Sequence, residues 1–156
     1  VLFEGTNVSE GRGTTRPFEL IGAPWVDAVK LVEALNPLQL SGVAFRPVQF
    51  QPTFQKHAGQ VCNGCQIHVT DRNTFHSVEV SVALMQALRR QNLDLFKWRS
   101  PPYEYEHVKA PIDILVGTSG FREQVESNLS AHTIVGSWAS SLEEFEPVRQ
   151  QFLLYE

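Results

Sequence analysis

The chain has no basic block, no long apolar run and no second cysteine pair, and each absence closes off a class of function. Its densest basic spot is Arg89-Arg90, and the formal net charge is −4, which argues against nucleic acid as a partner. No apolar run approaches the ~20 residues a membrane-spanning helix needs. Two cysteines, Cys62 and Cys65, form a lone Cys-x-x-Cys. A structural zinc site normally takes four ligands, usually from two such pairs, so the sequence calls for no metal and no cofactor. A site built from these thiols with His57 or His68 is the minor alternative. The pair precedes an expected strand, and Asn63-Gly64 between them has turn composition. The plain reading is a tight turn bringing two thiols together, bridged in an exported protein and free in a cytosolic one. Low-complexity tracts and fixed-period repeats are also missing, and no leader peptide is visible, which excludes nothing in a chain that opens without methionine.

What is present suits one domain. At 156 residues the chain can bury roughly 68–70% of the surface its unfolded form exposes. Hydrophobic residues make up 42% and charged residues 19%, as in ordinary globular proteins. The chain opens Val1-Leu2-Phe3 without methionine, which reads as the end of a buried strand. A fragment of a longer chain is favoured over a processed terminus.

The coarse pattern mixes both kinds of element. Trp25, Val26, Val29, Val32 and Leu35 fall at helical spacing, and Asn36-Pro37 stops the run. Residues 43–50 alternate as a strand, with Pro47 pointing to an edge or a bulge. Residues 66–70 read as a second strand, and Gly22-Ala23-Pro24 as a turn. The clearest helix spans 76–92, with Val80, Ala83, Leu84, Ala87 and Leu88 on one stripe. A short helix is expected over 121–126. A last one is expected over about 134–152, with Trp138, Leu142, Phe145 and Phe152 as apolar points and Pro147 kinking or dividing it. The elements do not alternate as βαβ units. The expected class is therefore α+β: a small mixed or antiparallel sheet, or a partial barrel, packed with several helices.

Three clusters can carry chemistry. The first is the glycine-rich loop Glu4-Gly5-Thr6-Asn7-Val8-Ser9-Glu10-Gly11-Arg12-Gly13-Thr14. Two carboxylates beside an arginine suit glycoside chemistry, which commonly uses a carboxyl pair across the scissile bond. A structural loop with internal pairing of Arg12 to Glu4 or Glu10 explains the same residues and is slightly favoured from composition alone. A phosphate-cradling loop ranks last, since the Gly-x-x-x-x-Gly-Lys-Ser/Thr spacing is missing. The second cluster, Phe54, Lys56, His57, Gln60, Gln66 and His68, mixes aromatic and hydrogen-bonding groups as sugar sites do, though by itself a surface loop with a strand-borne histidine is the favoured reading. The third, Tyr103-Glu104-Tyr105-Glu106-His107, offers ring faces and carboxylates, or an ordinary packed loop. No Gly-x-Ser-x-Gly elbow supports a serine hydrolase.

Several segments together give the chain a family likeness. They are residues 3–14, Pro17-Phe18-Glu19-Leu20-Ile21-Gly22-Ala23-Pro24-Trp25, Gly42-Val43-Ala44-Phe45-Arg46-Pro47, His57-Ala58-Gly59-Gln60-Val61-Cys62-Asn63-Gly64-Cys65, His68-Val69-Thr70-Asp71-Arg72, Tyr103-Glu104-Tyr105-Glu106, Pro111-Ile112-Asp113-Ile114-Leu115-Val116-Gly117 and Phe152-Leu153-Leu154-Tyr155. In this order they resemble the NamZ-type exo-β-N-acetylmuramidase family, in its later portion. The resemblance implies a two-part parent that releases N-acetylmuramic acid from non-reducing ends of peptidoglycan fragments. Its partners are peptidoglycan-derived saccharides and an N-terminal Rossmann-like half missing from this chain. Residues 1–15 are then the end of that half with its connecting loop, and 16–156 the C-terminal α+β domain. The resemblance favours a periplasmic or secreted parent and leaves a cytoplasmic one open. Glu4 and Glu10 become the catalytic candidates. Asn7, Arg12, His57, Gln66 and Tyr103 become substrate-binding candidates, with Arg12 holding the lactyl carboxylate or orienting a carboxylate partner. A non-catalytic carbohydrate- or partner-binding module is the alternative from another class.

Overall fold

The computed structural model describes residues 1–155. Its sheet has three strands, β1 (Leu20–Ala23), β2 (Val43–Phe50) and β3 (Cys62–Val69), in the order β1-β3-β2 with both pairings antiparallel. Around it lie α1 (Ala28–Leu35), α2 (Ser77–Gln91), α3 (Pro111–Val116), α4 (Gly120–Glu126), α5 (Ala131–Gly136) and α6 (Ala139–Gln150). The class is α+β, and the sheet is small, antiparallel and open. Pro47 stands on β2, an edge strand, where its missing N–H costs no central ladder bond.

α2 is the helix around which the others pack. The expected stripe is buried, and Val82, Met85 and Gln86 are buried too, so solvent is excluded from more than one face. α1 lies against α2 on one side and against β2 and β3 on the other, and α5 also packs on α2. Leu84 and Leu88 are fully inaccessible, and each such leucine contributes about 1.5–3 kcal/mol by leaving water. Among the described residues no helix is long and apolar enough to cross a membrane.

Five expectations are corrected. Residues Leu2–Gly5 form a 3-10 helix, not the end of a strand, and Val1 is exposed; an apolar run of three is too short to show a period. The turn expected at Gly22-Ala23-Pro24 lies one residue further on, closed by the Val26 amide on Ala23 O, and Gly22 and Ala23 end β1, where Gly22 pairs with Gly64. A Cβ on Gly64 would collide with Ile21 O, so the two glycines let the backbones approach. That pairing also overturns the Cys62–Cys65 turn, because both cysteines lie in the central strand β3. Residues three apart in a strand are separated by ~10 Å, beyond the ~7 Å that a disulfide spans. The two thiols are buried and free.

The remaining corrections concern helix ends. α1 starts at Ala28 rather than Trp25, because Asp27 Oδ1 accepts from the Val29 and Lys30 amides, both at 3.1 Å. The last helix divides at Ser137-Trp138, not at Pro147, which sits inside α6. Trp138 turns back onto Phe121, with ring centroids 6.3 Å apart. Beyond it Leu142, Phe145 and Phe152 are exposed, and α6 buries no residue.

Candidate active-site face

The glycine-rich loop is stitched to three other segments. Asn7 fastens it to residues 95–97: its Nδ2 donates to Leu95 O at 2.7 Å, and its Oδ1 accepts from the Lys97 amide at 2.9 Å. The Arg99 amide donates to Gly5 O at 2.8 Å. Ser9 exchanges backbone bonds with Gly22 of β1, at 2.8 and 3.0 Å. Gly13, at φ +83°, accepts from the Thr53 amide at 2.9 Å. A Cβ there would lie 2.7 Å from both N and O of Phe54, so the approach of the 52–59 loop requires glycine.

This stitching brings six of the seven flagged residues to one place. Arg12 Nη2 donates to Glu4 Oε1 at 2.8 Å, and Tyr103 Oη donates to Glu4 Oε2 at 3.0 Å. Arg12 Nε stands 3.3 Å from Glu10 Oε1, an ionic contact without hydrogen-bond alignment. The guanidinium also lies over the Phe18 ring, 5.3 Å from its centroid. Beneath, Lys56 Nζ donates to Glu10 Oε2 at 2.8 Å, Phe3 O at 2.7 Å and Val8 O at 3.0 Å. His57 Nε2 meets Asn7 O at 2.8 Å. The internal pairing expected of Arg12 is thus present, and it engages both glutamates.

The two carboxylates differ in reach. The Glu10 side chain is 4% exposed and that of Glu4 is 19% exposed, so Glu4 is the one a ligand can meet. Burial works to raise the Glu4 carboxyl, but the Tyr103 hydroxyl and the Arg12 guanidinium more than offset it and hold it below the usual carboxylate range. Burial lowers the Lys56 ammonium despite its bond to Glu10. It raises the Tyr103 phenol, and the bond to Glu4 adds to that. Glu4 is therefore an anion at neutral pH, pinned by two donors.

Gln66 stands apart from this group. Its Oε1 accepts from Arg46 Nη2 at 2.6 Å and its Nε2 donates to Glu19 Oε2 at 3.3 Å, on the sheet. In the other direction, the structure adds two residues to the site. Lys56 appeared in the sequence only as part of a polar loop, and its role needed the buried Glu10 to become visible. Arg99 carried no signal beyond its place ahead of the Pro101-Pro102 aromatic loop. It lies over the Tyr103 ring, 5.5 Å from the centroid. With Thr6, Asn7, Gln55 and Lys56 it lines a hollow of about 280 Å³.

A larger hollow of about 440 Å³ lies between α1, α2 and α5, lined largely by aliphatic groups such as Ala34, Leu38, Ala83 and Ala87. It holds none of the flagged residues. Among the described residues, no group of three or more His, Cys, Asp or Glu is placed to hold a metal.

A family model and a curated relative agree on one family. Residues 1–155 match the family model described as exo-beta-N-acetylmuramidase NamZ, C-terminal. The peptidoglycan beta-N-acetylmuramidase NamZ of Bacillus subtilis (strain 168) is 41% identical over 155 residues, which are 99% of this chain and 35% of that protein. A DUF1343 family protein of Bacteroides fragilis NCTC 9343 superposes with a TM-score of 0.77 at 27% identity, over 96% of this chain and 38% of that one. A second from the same organism, 24% identical with a TM-score of 0.58 over 99% of this chain and 38% of that one, shares the fold. The chain therefore spans little more than a third of the length of the relatives it matches. With its match running from Val1 to Tyr155, the chain belongs to the NamZ exo-β-N-acetylmuramidase family, as that family's C-terminal portion.

Proposed function

We propose that this chain supplies one wall of the substrate cleft in a peptidoglycan glycosidase that releases N-acetylmuramic acid from non-reducing ends of cell-wall fragments. The observation that carries the reading is Glu4: a solvent-reached carboxylate held by Arg12 and by Tyr103, whose ring carries the Arg99 guanidinium that lines the hollow. The relative's name, peptidoglycan beta-N-acetylmuramidase, supports the substrate class. In this reading residues 1–15 form the seam with a Rossmann-like half, and 16–156 are the α+β domain that completes the cleft.

In this reading the flagged residues divide the labour. Glu4, kept ionised, serves as the base or charge-stabilising member of a carboxyl pair. An acid with a raised pKa then comes from the other half. Glu10 and Lys56 form the buried base on which Arg12 rests. Arg12 takes the second of its two expected roles and orients Glu4. Tyr103 presents its ring to the sugar while its hydroxyl holds Glu4. His57 has Nδ1 left for a sugar hydroxyl, while Gln66, buried on the sheet with its amide engaged by Arg46 and Glu19, stays outside this face.

Since the acid of the pair comes from the other half in this reading, the isolated chain is expected to bind without turnover. The test is a chromogenic β-N-acetylmuramide assay on the full-length protein, beside calorimetry of this chain with N-acetylmuramic acid. Hydrolysis by the former and binding without hydrolysis by the latter support the reading. No hydrolysis by the full-length protein overturns it and leaves the non-catalytic binding module.

A further inference from the structure

We propose that Arg99 is the specificity residue that takes the lactyl carboxylate of muramic acid. The inference rests on the muramidase reading and names the contact by which that site would tell muramic acid from glucosamine.

The face gathers three cations, Arg12, Lys56 and Arg99, against the two carboxylates Glu4 and Glu10. Glu104 also stands near enough to act on the Tyr103 phenol, so what distinguishes the cations is how each is engaged, not their number. Two of the cations are already committed. An ammonium has three protons, and those of Lys56 meet Phe3 O, Val8 O and Glu10 Oε2. Arg12 lies between Glu4 and Glu10 with its face on Phe18. Arg99 differs. Its amide is tied to Gly5 O, which fixes the root of the side chain. Its guanidinium has no hydrogen-bonding or ionic partner among the described residues, while it borders the hollow with Thr6, Asn7, Gln55 and Lys56.

A guanidinium presents parallel donors that match a carboxylate in bidentate fashion. Tyr103 links this free donor to the chemistry. Its ring faces the Arg99 guanidinium, and its hydroxyl donates to Glu4. A muramic acid residue with its lactyl carboxylate on Arg99 therefore lies within one tyrosine of Glu4. A glucosamine residue lacks the lactyl group and leaves Arg99 facing water. The contact thus favours one sugar without closing the site to the other by collision.

The test uses the full-length protein and two chromogenic substrates, a β-N-acetylmuramide and its lactyl methyl ester. The wild type should show a KM at least about tenfold higher for the ester, the scale of a lost charge-assisted pair. In Arg99→Gln the KM for the acid should rise by the same factor and the acid-to-ester preference should vanish, with kcat nearly kept. Arg99→Lys should restore part of the preference. A structural role for Arg99 would change both substrates alike and leave the preference intact. An Arg99→Gln enzyme that keeps its full preference overturns the assignment while the muramidase reading stands. A wild type that hydrolyses neither substrate overturns the muramidase reading and removes this assignment with it.

Discussion

The Tyr103 hydroxyl donates to Glu4 Oε2 at 3.0 Å across a sequence separation of 99. With Arg12 on the other oxygen, it fixes both the direction and the charge of that carboxylate. Removing the phenolic donor, as in Tyr103→Phe, should move the Glu4 pKa upward in a carbon-detected NMR titration. The stability consequence has a definite sign. Glu4 is depressed in the folded state, so it stabilises above the unfolded carboxyl pKa, and that stability is lost as pH falls through the folded value. The variant should therefore begin acid unfolding at a higher pH than wild type. An unmoved Glu4 titration would show that Arg12 alone holds the carboxylate.

Lys56 and Glu10 are buried together, and neither can lose its partner cheaply. In Lys56→Met the Glu10 carboxylate keeps only the ionic contact with Arg12, while Phe3 O and Val8 O lose a donor. Breaking a buried pair from one side costs about 3–5 kcal/mol. For a domain of this size that lowers Tm by roughly 6–20 °C in calorimetry. Arg99→Gln, on an exposed side chain, should stay within about 0.5 kcal/mol of wild type.

The two cysteines should behave as core residues. Burial pushes the Cys62 thiol up to about 11 and the Cys65 thiol to about 12. The folded protein then keeps both protons where the unfolded chain has lost them. From about pH 9 to 11, stability should fall by up to ~1.4 kcal/mol per pH unit for each thiol. Thiol reagents should label neither cysteine before unfolding, and mass spectrometry should find no Cys62–Cys65 bridge.

α6 contributes little to the body on which it ends. It buries no residue, and Trp138, the last side chain packed on the core, precedes it. Deleting residues 143–156 should change Tm by no more than about 2 °C, the scale of a surface change. A larger fall in a thermal melt would mean the helix packs on the body.

The legible part of the fold was the part with a long period. The residue 76–92 pattern found α2, and the alternation over 43–50 found β2 with Pro47 at an edge. β1 was hidden because Gly22 and Pro24 read as a turn, while its strand character depends on a distant partner, Gly64. The same glycine disguised the start of β3 and made a strand-borne Cys-x-x-Cys resemble a tight turn. Local sequence could not distinguish these, since the pairing lies 42 positions away in register terms, Gly22 opposite Gly64. At the site, the opening loop was visible as composition, and Glu4, Glu10, Asn7, Arg12, His57 and Tyr103 do converge. What composition lacked was depth. It could not separate solvent-reached Glu4 from buried Glu10, place Gln66 on the sheet with Glu19 and Arg46, or pick out Arg99.

The muramidase reading rests most directly on Glu4, and its isosteric amide tests it. The measurement is kcat/KM of full-length Glu4→Gln on a chromogenic β-N-acetylmuramide, with thermal unfolding recorded in parallel. A fall of at least ~10²-fold with unfolding little changed is predicted, the scale of a positioned catalytic group. An unchanged kcat/KM would contradict the account.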